Sequence, residues 1–440
     1  MDARAHFEGK KITVMGLGLL GRGVGDAAYL ASQGAELIVT DLKSKEELAS
    51  SLETLSAYPN ITYMLGEHRL EDFSNRDYIL KAAGVPDDSP FLTAARAEGI
   101  PIKMSASWFA EIAHLPIVGI TGTRGKSTVT HMLEAILLKD KREILLGGNV
   151  RGVSTLALLE KVTKNQIPLF ELDSWQLQGF GEARISPHLS VFTTFYPDHL
   201  AYYKNDIDVY LEDKAQIFLN QSEDDVLLLG EQMALTVIEK YAERIKSKVS
   251  VVNEELLSKD WELLIPGTHN RYNAALALAA ARELGVGDEV SKEALESFLG
   301  VPGRLELVAL VGGVSFYNDT NSTTPEATIT ALHALSEETG KHISLIMGGH
   351  DKQLDMGNLL ELIKELEVSV SLLEGTGTER IKDELSDAEL FSSLKEAVTH
   401  AHTLAGENGI VLLSPAFSSF GMFANEYDRG DQFNAIVKSL

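Results

Sequence analysis

"VGITGTRGKSTVTHML", residues 118–133, sets a glycine-rich turn between a short apolar run and a helical repeat. Counted back from Gly125-Lys126-Ser127, the standard phosphate loop G-x-x-x-x-G-K-S/T needs glycine at position 120, and Ile120 stands there. After the turn, Val129, Met132, Leu133, Ile136 and Leu137 recur at helical spacing, an apolar stripe that faces a core. Before it, "LPIVGI" is a short strand bounded by Pro116. A loop between a buried strand and a helix N-terminus can cradle phosphates with its amides. Lys126 then reaches the terminal phosphates and Ser127 ligates magnesium. The competing reading is a glycine turn with a solvated lysine; strand, helix and G-K-S-T together favour the phosphate loop.

A second glycine turn lies near the amino end. Strand "ITVMG" runs into Gly16-Leu17-Gly18-Leu19-Leu20-Gly21, a helical pattern follows to Ala31, and strand "ELIVTD" ends at Asp41. Strand, G-x-G-x-x-G, helix, strand, acid is the dinucleotide fingerprint in its proper context. Glycines let the backbone approach a diphosphate at a helix N-terminus, where free amides and the dipole favour anions. NAD, FAD and a repurposed Rossmann unit all fit. Asp41 can hold a ribose, bind another part of a nucleotide, or simply end its strand.

Strands and helices alternate along the rest of the chain. "IPLFELDSWQLQ" (Ile167 to Gln178) and "LSVFTTFYPDHLAYY" (Leu189 to Tyr203) each run from apolar into polar residues, placing Glu171, Asp198 and His199 at strand ends, where open α/β sheets collect ligands. From Gly303 on, "VSFYND", "KHISLIMGG", "VSVSLLEGTG" and "NGIVLLSPAFSS" read as a further parallel sheet. The fold class is α/β in three domains: a Rossmann-like N-terminal domain (1–104), a central P-loop ATPase-like domain (105–302) and a C-terminal Rossmann-like domain (303–440). At 440 residues the chain is too long for one ordinary core.

Bulk properties narrow the function. A formal net charge of -25 argues against nucleic-acid backbone binding, though a few cations in a cleft suffice for a small anion. The absence of cysteine excludes disulfides, thiolate metal sites and thiol nucleophiles. "KKITVMGLGLL" mimics a signal peptide, but glycines interrupt it and Arg22 and Asp26 follow, so a strand entering a turn explains it better. No run approaches a membrane span. A soluble, cytoplasmic monomer without membrane insertion is expected.

Taken together, the motifs resemble those of the Mur ligases, the ATP-dependent amide-bond-forming enzymes of peptidoglycan synthesis. The family's ATP loop, G-T-x-G-K-S/T, fits Gly122 to Ser127 and has no glycine at the place of Ile120. Its G-G-N segment appears as Gly147-Gly148-Asn149, its E-L-S-S-F/W-Q-L as Glu171 to Leu177, and its D-H as Asp198-His199, followed by a helix bearing Lys214. Its H-N-x-x-N appears as His269 to Asn273, its arginine before an acidic strand as Arg304, and its N-D-S-K-A-T as Asn318 to Thr323. Gly348 to Lys352 and Ser414 to Ser419 match its G-G-x-x-K and S-P-A-x-x-S. The resemblance covers essentially the whole chain.

Much follows from that resemblance. The chain looks most similar to the branch that joins D-glutamate to UDP-N-acetylmuramoyl-L-alanine through an acyl phosphate. Gly122, Thr123, Gly125, Lys126, Ser127 and Thr128 are expected on the ATP phosphates, and Asn270, Asn273, Arg304 and Asp319 on the adenine nucleotide. Ser127 and Glu171 are expected on one magnesium ion, with His199 and a carbamylated Lys214 on a second. Lys126, His199 and Lys214 carry the catalytic expectation. Gly18, Leu19, Leu20, Gly21 and Asp41 are expected on UDP, not NAD; Asn149, Ser174 and Gln176 on the rest of that substrate; Thr323, Lys352 and Ser419 on the incoming amino acid.

The chain also departs from the family pattern. Arg124 replaces a small polar residue, Asp173 the first serine of E-L-S-S, and Asn321 the lysine of N-D-S-K. Ala82-Ala83-Gly84 replaces a Ser-Pro-Gly turn, and Glu426 stands where an aromatic residue is frequent. A folate-polyglutamylating or diaminopimelate-adding ligase is the alternative acceptor chemistry. A nicotinamide dehydrogenase would leave Lys126 and Ser127 without a task, and a non-catalytic nucleotide-binding regulator would leave Glu171, His199 and Lys214 without one.

Overall fold

The computed structural model describes residues 4–18, 21–150, 152–198, 202–265 and 267–440, with the backbone alone at 337–339. The chain forms two compact units, one of residues up to 256 with 273–291, the other of residues 257–272 with 292–440.

The first unit contains two parallel sheets. The five-stranded sheet runs Ile61–Leu65, Glu36–Asp41, Lys11–Met15, Tyr78–Lys81, Ile102–Lys103. Its order reverses beside Lys11–Met15, so the glycine turn that follows Met15 opens at the switch point, where such sheets bind ligands. The six-stranded sheet runs Lys248–Val252, Val226–Gly230, Leu189–Phe192, Val118–Thr121, Ile167–Glu171, Ile144–Gly148. Val118–Thr121 pairs with strands on both sides. All four of its residues are buried, because helices cover both faces of a parallel sheet. The helix Lys126–Lys139 then packs its stripe inward: Val129, Met132, Leu133, Ile136 and Leu137 are wholly buried, as the spacing predicts.

The second unit is built on one six-stranded sheet, Glu306–Val311, Val314–Asn318, Ile410–Leu413, Ile343–Gly348, Ser369–Leu373, Glu389–Phe391. The four strands read as parallel, Val314–Asn318, Ile410–Leu413, Ile343–Gly348 and Ser369–Leu373, do pair parallel, and the sheet has one further edge strand: Glu306–Val311 pairs antiparallel with Val314–Asn318. The cause is local. Gly312 and Gly313 both take positive φ (57° and 87°), the backbone of a two-residue hairpin, whereas a parallel link needs a long crossover. No helix among the described residues is long and apolar enough to cross a membrane.

Candidate active site

The loop after Val118–Thr121 explains why no glycine is needed at position 120. Ile120 lies inside the strand, wholly buried and paired with Glu171 and Val191. The turn proper begins at Gly122. There φ is +148°, and an added Cβ would strike the Thr193 hydroxyl and the Thr194 backbone. Gly125 has φ +84°, and a Cβ there would meet Asn273 Oδ1 at 2.5 Å. Neighbouring threonines brace the loop: Thr123 N donates to Thr194 O (2.8 Å), Arg124 N to Thr194 Oγ1 (2.9 Å), and Thr193 Oγ1 to Arg124 O (2.5 Å). Arg124 itself is exposed. Lys126 Nζ donates to Gly122 O (3.0 Å) and Thr123 O (3.2 Å), carbonyls it can exchange for phosphate oxygens. Ser127 and Thr128 occupy the first turn of the helix, half-buried.

A second lysine reaches the same carbonyl. Asp206 caps the helix Ile207–Ala215 through the amides of Asp208 and Val209, and Lys214 projects from its last turn. Lys214 is 1% exposed; its Nζ donates to Gly122 O at 2.8 Å and lies 4.9 Å over the Tyr210 ring. Burial, and next the charge of Lys126, hold the Lys214 amine well below the ordinary lysine range; Asp173, Asp198 and Asp213 act in the opposite direction. That environment favours the neutral amine. Glu171 ends Ile167–Glu171, buried, and accepts from Asn149 Nδ2 (3.3 Å), while Asn149 N donates to Glu171 O (2.7 Å). The carboxylate of Glu171 and the hydroxyl of Ser127 are the hard oxygen donors that magnesium takes. Among the described residues no three His, Cys, Asp or Glu side chains cluster as a metal site. His199, Leu19 and Leu20 lie outside the described residues.

A cavity of about 210 Å³ opens beside the first glycine turn, its lining including Gly16, Gly18, Arg22, Lys81, Gly148 and Gln176. Arg22 Nη1 donates to Asn149 Oδ1 (2.6 Å), so one chain of contacts runs from this cavity to Glu171. Asp41, expected on UDP, has a structural task in the turn. Its Oδ2 accepts the amides of Leu17 (2.8 Å) and Gly18 (3.2 Å), and its Oδ1 that of Lys43 (2.9 Å), so the carboxylate shapes the turn. Burial pushes this carboxyl up, but the amides of Lys43, Gly18 and Leu17 outweigh it and leave the pKa below the usual aspartate range. A depressed native pKa stabilises the fold above the unfolded value, and the gain is lost as pH falls through the native value. Asp41→Ala should cost about 1–3 kcal/mol at neutral pH, and the gap between the two denaturation midpoints should close on acidification. A gap that persisted undiminished in acid would remove the carboxylate as its source.

In the second unit Lys352 Nζ donates to Thr323 Oγ1 at 2.9 Å, which joins two of the expected amino-acid contacts. The bridge between His350 and Ser418 (N to O, 3.0 Å) ties the Lys352 loop to the segment carrying buried Ser419. Asp319 is buried, accepts from Ser414 Oγ (2.8 Å) and Leu305 N (3.2 Å), and is pushed up by burial to about 6. It therefore anchors the residue after Arg304, which is exposed.

Comparison with known sequences identifies this arrangement. The Mur ligase middle domain matches residues 120–259, the Mur ligase glutamate ligase domain residues 303–417, and the MurD-like N-terminal domain residues 10–104. The chain is 36% identical to the UDP-N-acetylmuramoylalanine--D-glutamate ligase of Roseiflexus sp., covering 99% of this chain and 100% of that one. It is 34% identical to the ligase of the same name from Borreliella burgdorferi (strain ZS7), over 97% of both chains. The chain belongs to the Mur ligase family. Two crystal structures share the fold: UDP-N-acetylmuramate-alanine ligase of Thermotoga maritima (TM-score 0.60, 21% identity, 98% and 99% covered) and the MurF ligase from Thermotoga maritima in complex with ADP (0.58, 18%, 99% and 97%).

As a Mur ligase, the chain keeps the helix start at one of its departures. Asp173 caps the helix Ser174–Ala183: its Oδ1 accepts from Gln176 N (2.8 Å), and Gln176 Oε1 accepts from Asp173 N (3.2 Å). Aspartate caps as well as serine, so the helix start survives. The cost is that Gln176, expected on the substrate, has its side-chain oxygen engaged in the cap. Asn273, in the first unit, and Asn270, in the second, are both buried. Sequence reasoning left out Arg22 and Lys81 of this Mur ligase. Lys81 is buried at a strand end and donates to Gln178 Oε1 (3.0 Å), itself linked to Asp213 (2.8 Å). Arg22 had a usable signal, since it directly follows Gly21 at a helix start.

Proposed function

We propose that this Mur ligase joins D-glutamate to UDP-N-acetylmuramoyl-L-alanine with conversion of ATP to ADP and phosphate. The observation that carries the reading is the convergence of Lys126 and Lys214 on the Gly122 carbonyl beside Glu171. A carboxylate is a poor acyl donor because oxide is a poor leaving group. Transfer of the γ-phosphoryl group to the L-alanine carboxylate breaks the bond to ADP and makes an acyl phosphate. The amine then attacks the acyl carbon and phosphate leaves. Little covalent chemistry falls to the protein; positioning and charge neutralisation do.

The loop amides and Lys126 hold the ATP phosphates, and Thr123 and Thr128 complete the loop contacts. Magnesium, when bound, screens phosphate charge and polarises the transferred group. Ser127 and Glu171 would hold one ion, and His199 and a carbamylated Lys214 would hold the other. A buried neutral amine captures carbon dioxide and becomes an anion, which suits a lysine whose ammonium would repel a cation. The cavity beside Gly18 and Gly21 takes the UDP moiety, with Asn149, Ser174 and Gln176 toward the muramoyl end and Asp41 acting through the turn. Arg304, Asp319, Asn270 and Asn273 serve the adenine nucleotide. The reaction sits in the cytoplasm, where ATP and UDP-linked precursors are found. One chain supplies every residue named, so a monomer suffices.

Phosphate release with purified protein, ATP, magnesium and UDP-N-acetylmuramoyl-L-alanine, across a panel of amino acids, tests the reading directly. Release dependent on D-glutamate is expected; a clear preference for another amino acid would remove the acceptor assignment and leave the ligase chemistry. Lys352 offers a narrower test. Its ammonium, hydrogen-bonded to Thr323, pairs with one carboxylate of the acceptor, a charge-assisted contact of about 1.5–3 kcal/mol. Lys352→Ala should raise the D-glutamate requirement about 10- to 100-fold, with the ATP requirement changed less. An unchanged requirement would exclude Lys352 from the acceptor site.

A further inference from the structure

Among the described residues, a buried positive charge in the second unit forms no ion pair. Arg429, on the helix Glu426–Val437, is 0% exposed. Its Nε donates to Thr320 Oγ1 (3.0 Å), its Nη2 to Thr320 O (2.9 Å) and its Nη1 to Phe417 O (3.4 Å). A hydroxyl and two carbonyls satisfy N–H groups but carry no net charge. Among the described residues no carboxylate forms an ion pair with Arg429. Glu426, three residues earlier, lies close enough to act on both Arg429 and Lys352, yet pairs with neither among the described residues. Two cations thus face one acid. Burial pushes the guanidinium down to about 10, so it stays charged at neutral pH. An isolated buried charge is costly, and proteins retain one where something else supplies the counter-charge.

Its hydrogen bonds show where that charge acts. Thr320 precedes Thr323 by three residues, and Phe417 precedes Ser419 by two. Thr320 Oγ1 in turn donates to Glu426 O (2.7 Å). Gly430 lets the helix approach closely, since a Cβ there would meet Thr320 Cγ2 at 2.6 Å. Arg429 therefore ties together both loops that carry acceptor hydroxyls; burial first, and then the charge of Arg429 against the opposing charge of Glu426, lowers the Lys352 amine below the ordinary lysine range. We propose that Arg429 is a positioning residue whose unneutralised charge makes the acceptor site select an amino acid with two carboxylates over one with a single carboxylate. This rests on the acceptor reading above: Lys352 neutralises one carboxylate, and the excess charge of Arg429 favours a second nearby. A residue that only braced the loops would affect charged and neutral acceptors alike.

The test compares D-glutamate with D-glutamine, a neutral isostere, on the full-length protein and on Arg429→Gln, Arg429→Lys and Glu426→Gln. In Arg429→Gln the preference for D-glutamate should fall about 10- to 100-fold through the KM for D-glutamate, with the KM for ATP changed less. Arg429→Lys should keep most of the preference. Glu426→Gln, a half-buried position that tolerates the change, should increase it by about two- to fivefold because an opposing charge is gone. Equal losses for both acceptors in the two Arg429 variants, or an unmoved preference in Arg429→Gln, would overturn the inference. Should Arg429→Gln not fold, an unchanged or lowered preference in Glu426→Gln overturns it by itself. If the unaltered protein does not use D-glutamate, the acceptor reading falls and this inference with it; if it does and the preference ignores these charges, this inference alone falls.

Discussion

Lys126→Ala is expected to abolish ATP-dependent phosphate release while leaving binding of the UDP substrate largely intact. The ammonium rests on the carbonyls of Gly122 and Thr123, 3.0 and 3.2 Å away, at the mouth of a loop held open by two positive-φ glycines. Phosphoryl transfer depends on charge placed where it develops, and single groups of this kind contribute about 10²- to 10⁵-fold in rate. The fold should survive, because Lys214 still donates to Gly122 O and the threonines still brace the loop. The proposed UDP cavity is lined by a different part of the chain, at Gly16, Gly18, Arg22 and Lys81. Calorimetry with the UDP substrate should therefore separate the two effects. Product formation near the rate of the unaltered protein would show that the glycine loop is not the phosphate site.

Lys214→Ala should lose most activity and regain part of it with formate or acetate. Few lysines are so buried, and a protonated amine in that position would face both the charge of Lys126 and any magnesium beside Glu171. Carbamylation reverses the sign of the charge. Truncation to alanine leaves a space beside Tyr210 and Gly122 that a small carboxylate can enter, with its oxygens where the carbamate would lie. Labelled carbon dioxide, trapped chemically on the intact chain, should map to Lys214. Full activity of Lys214→Ala without added carboxylate would eliminate the carbamate. Because the readings of Lys126 and Lys214 meet at one carbonyl, the paired variants are not expected to be additive.

The sequence alone determined what depends on short-range pattern. The apolar stripe from Val129 to Leu137 predicted a packed helix, and G-T-R-G-K-S predicted a turn between a buried strand and that helix's N-terminus. The strand and helix alternation predicted parallel sheets, since each crossover forces its two strands to run the same way. Even the missing glycine at Ile120 was informative, because it shifted the start of the turn by two residues. The antiparallel edge at Glu306–Val311 was visible only in part: Gly312-Gly313 is a hairpin signal, but one overshadowed by the alternation around it.

Tertiary structure decided the rest, and for one reason. Burial, charge and hydrogen-bond partners are set by residues far apart in the chain. Lys214 reads as a surface lysine until the fold brings it to Gly122, 92 residues away. Asp41 reads as a ribose contact, another nucleotide contact or a strand end, and only the fold shows its oxygens holding the amides of Leu17 and Gly18. Asp173 reads as a lost serine until it caps its helix. Arg429 carries no motif weight at all; its meaning comes from burial against Thr320 and Phe417, 109 and 12 residues away, with no acid paired to it among the described residues. Local spacing encodes where the chain turns and which face goes inward, while the electrostatics of a site arise only when distant segments exclude water from the same group.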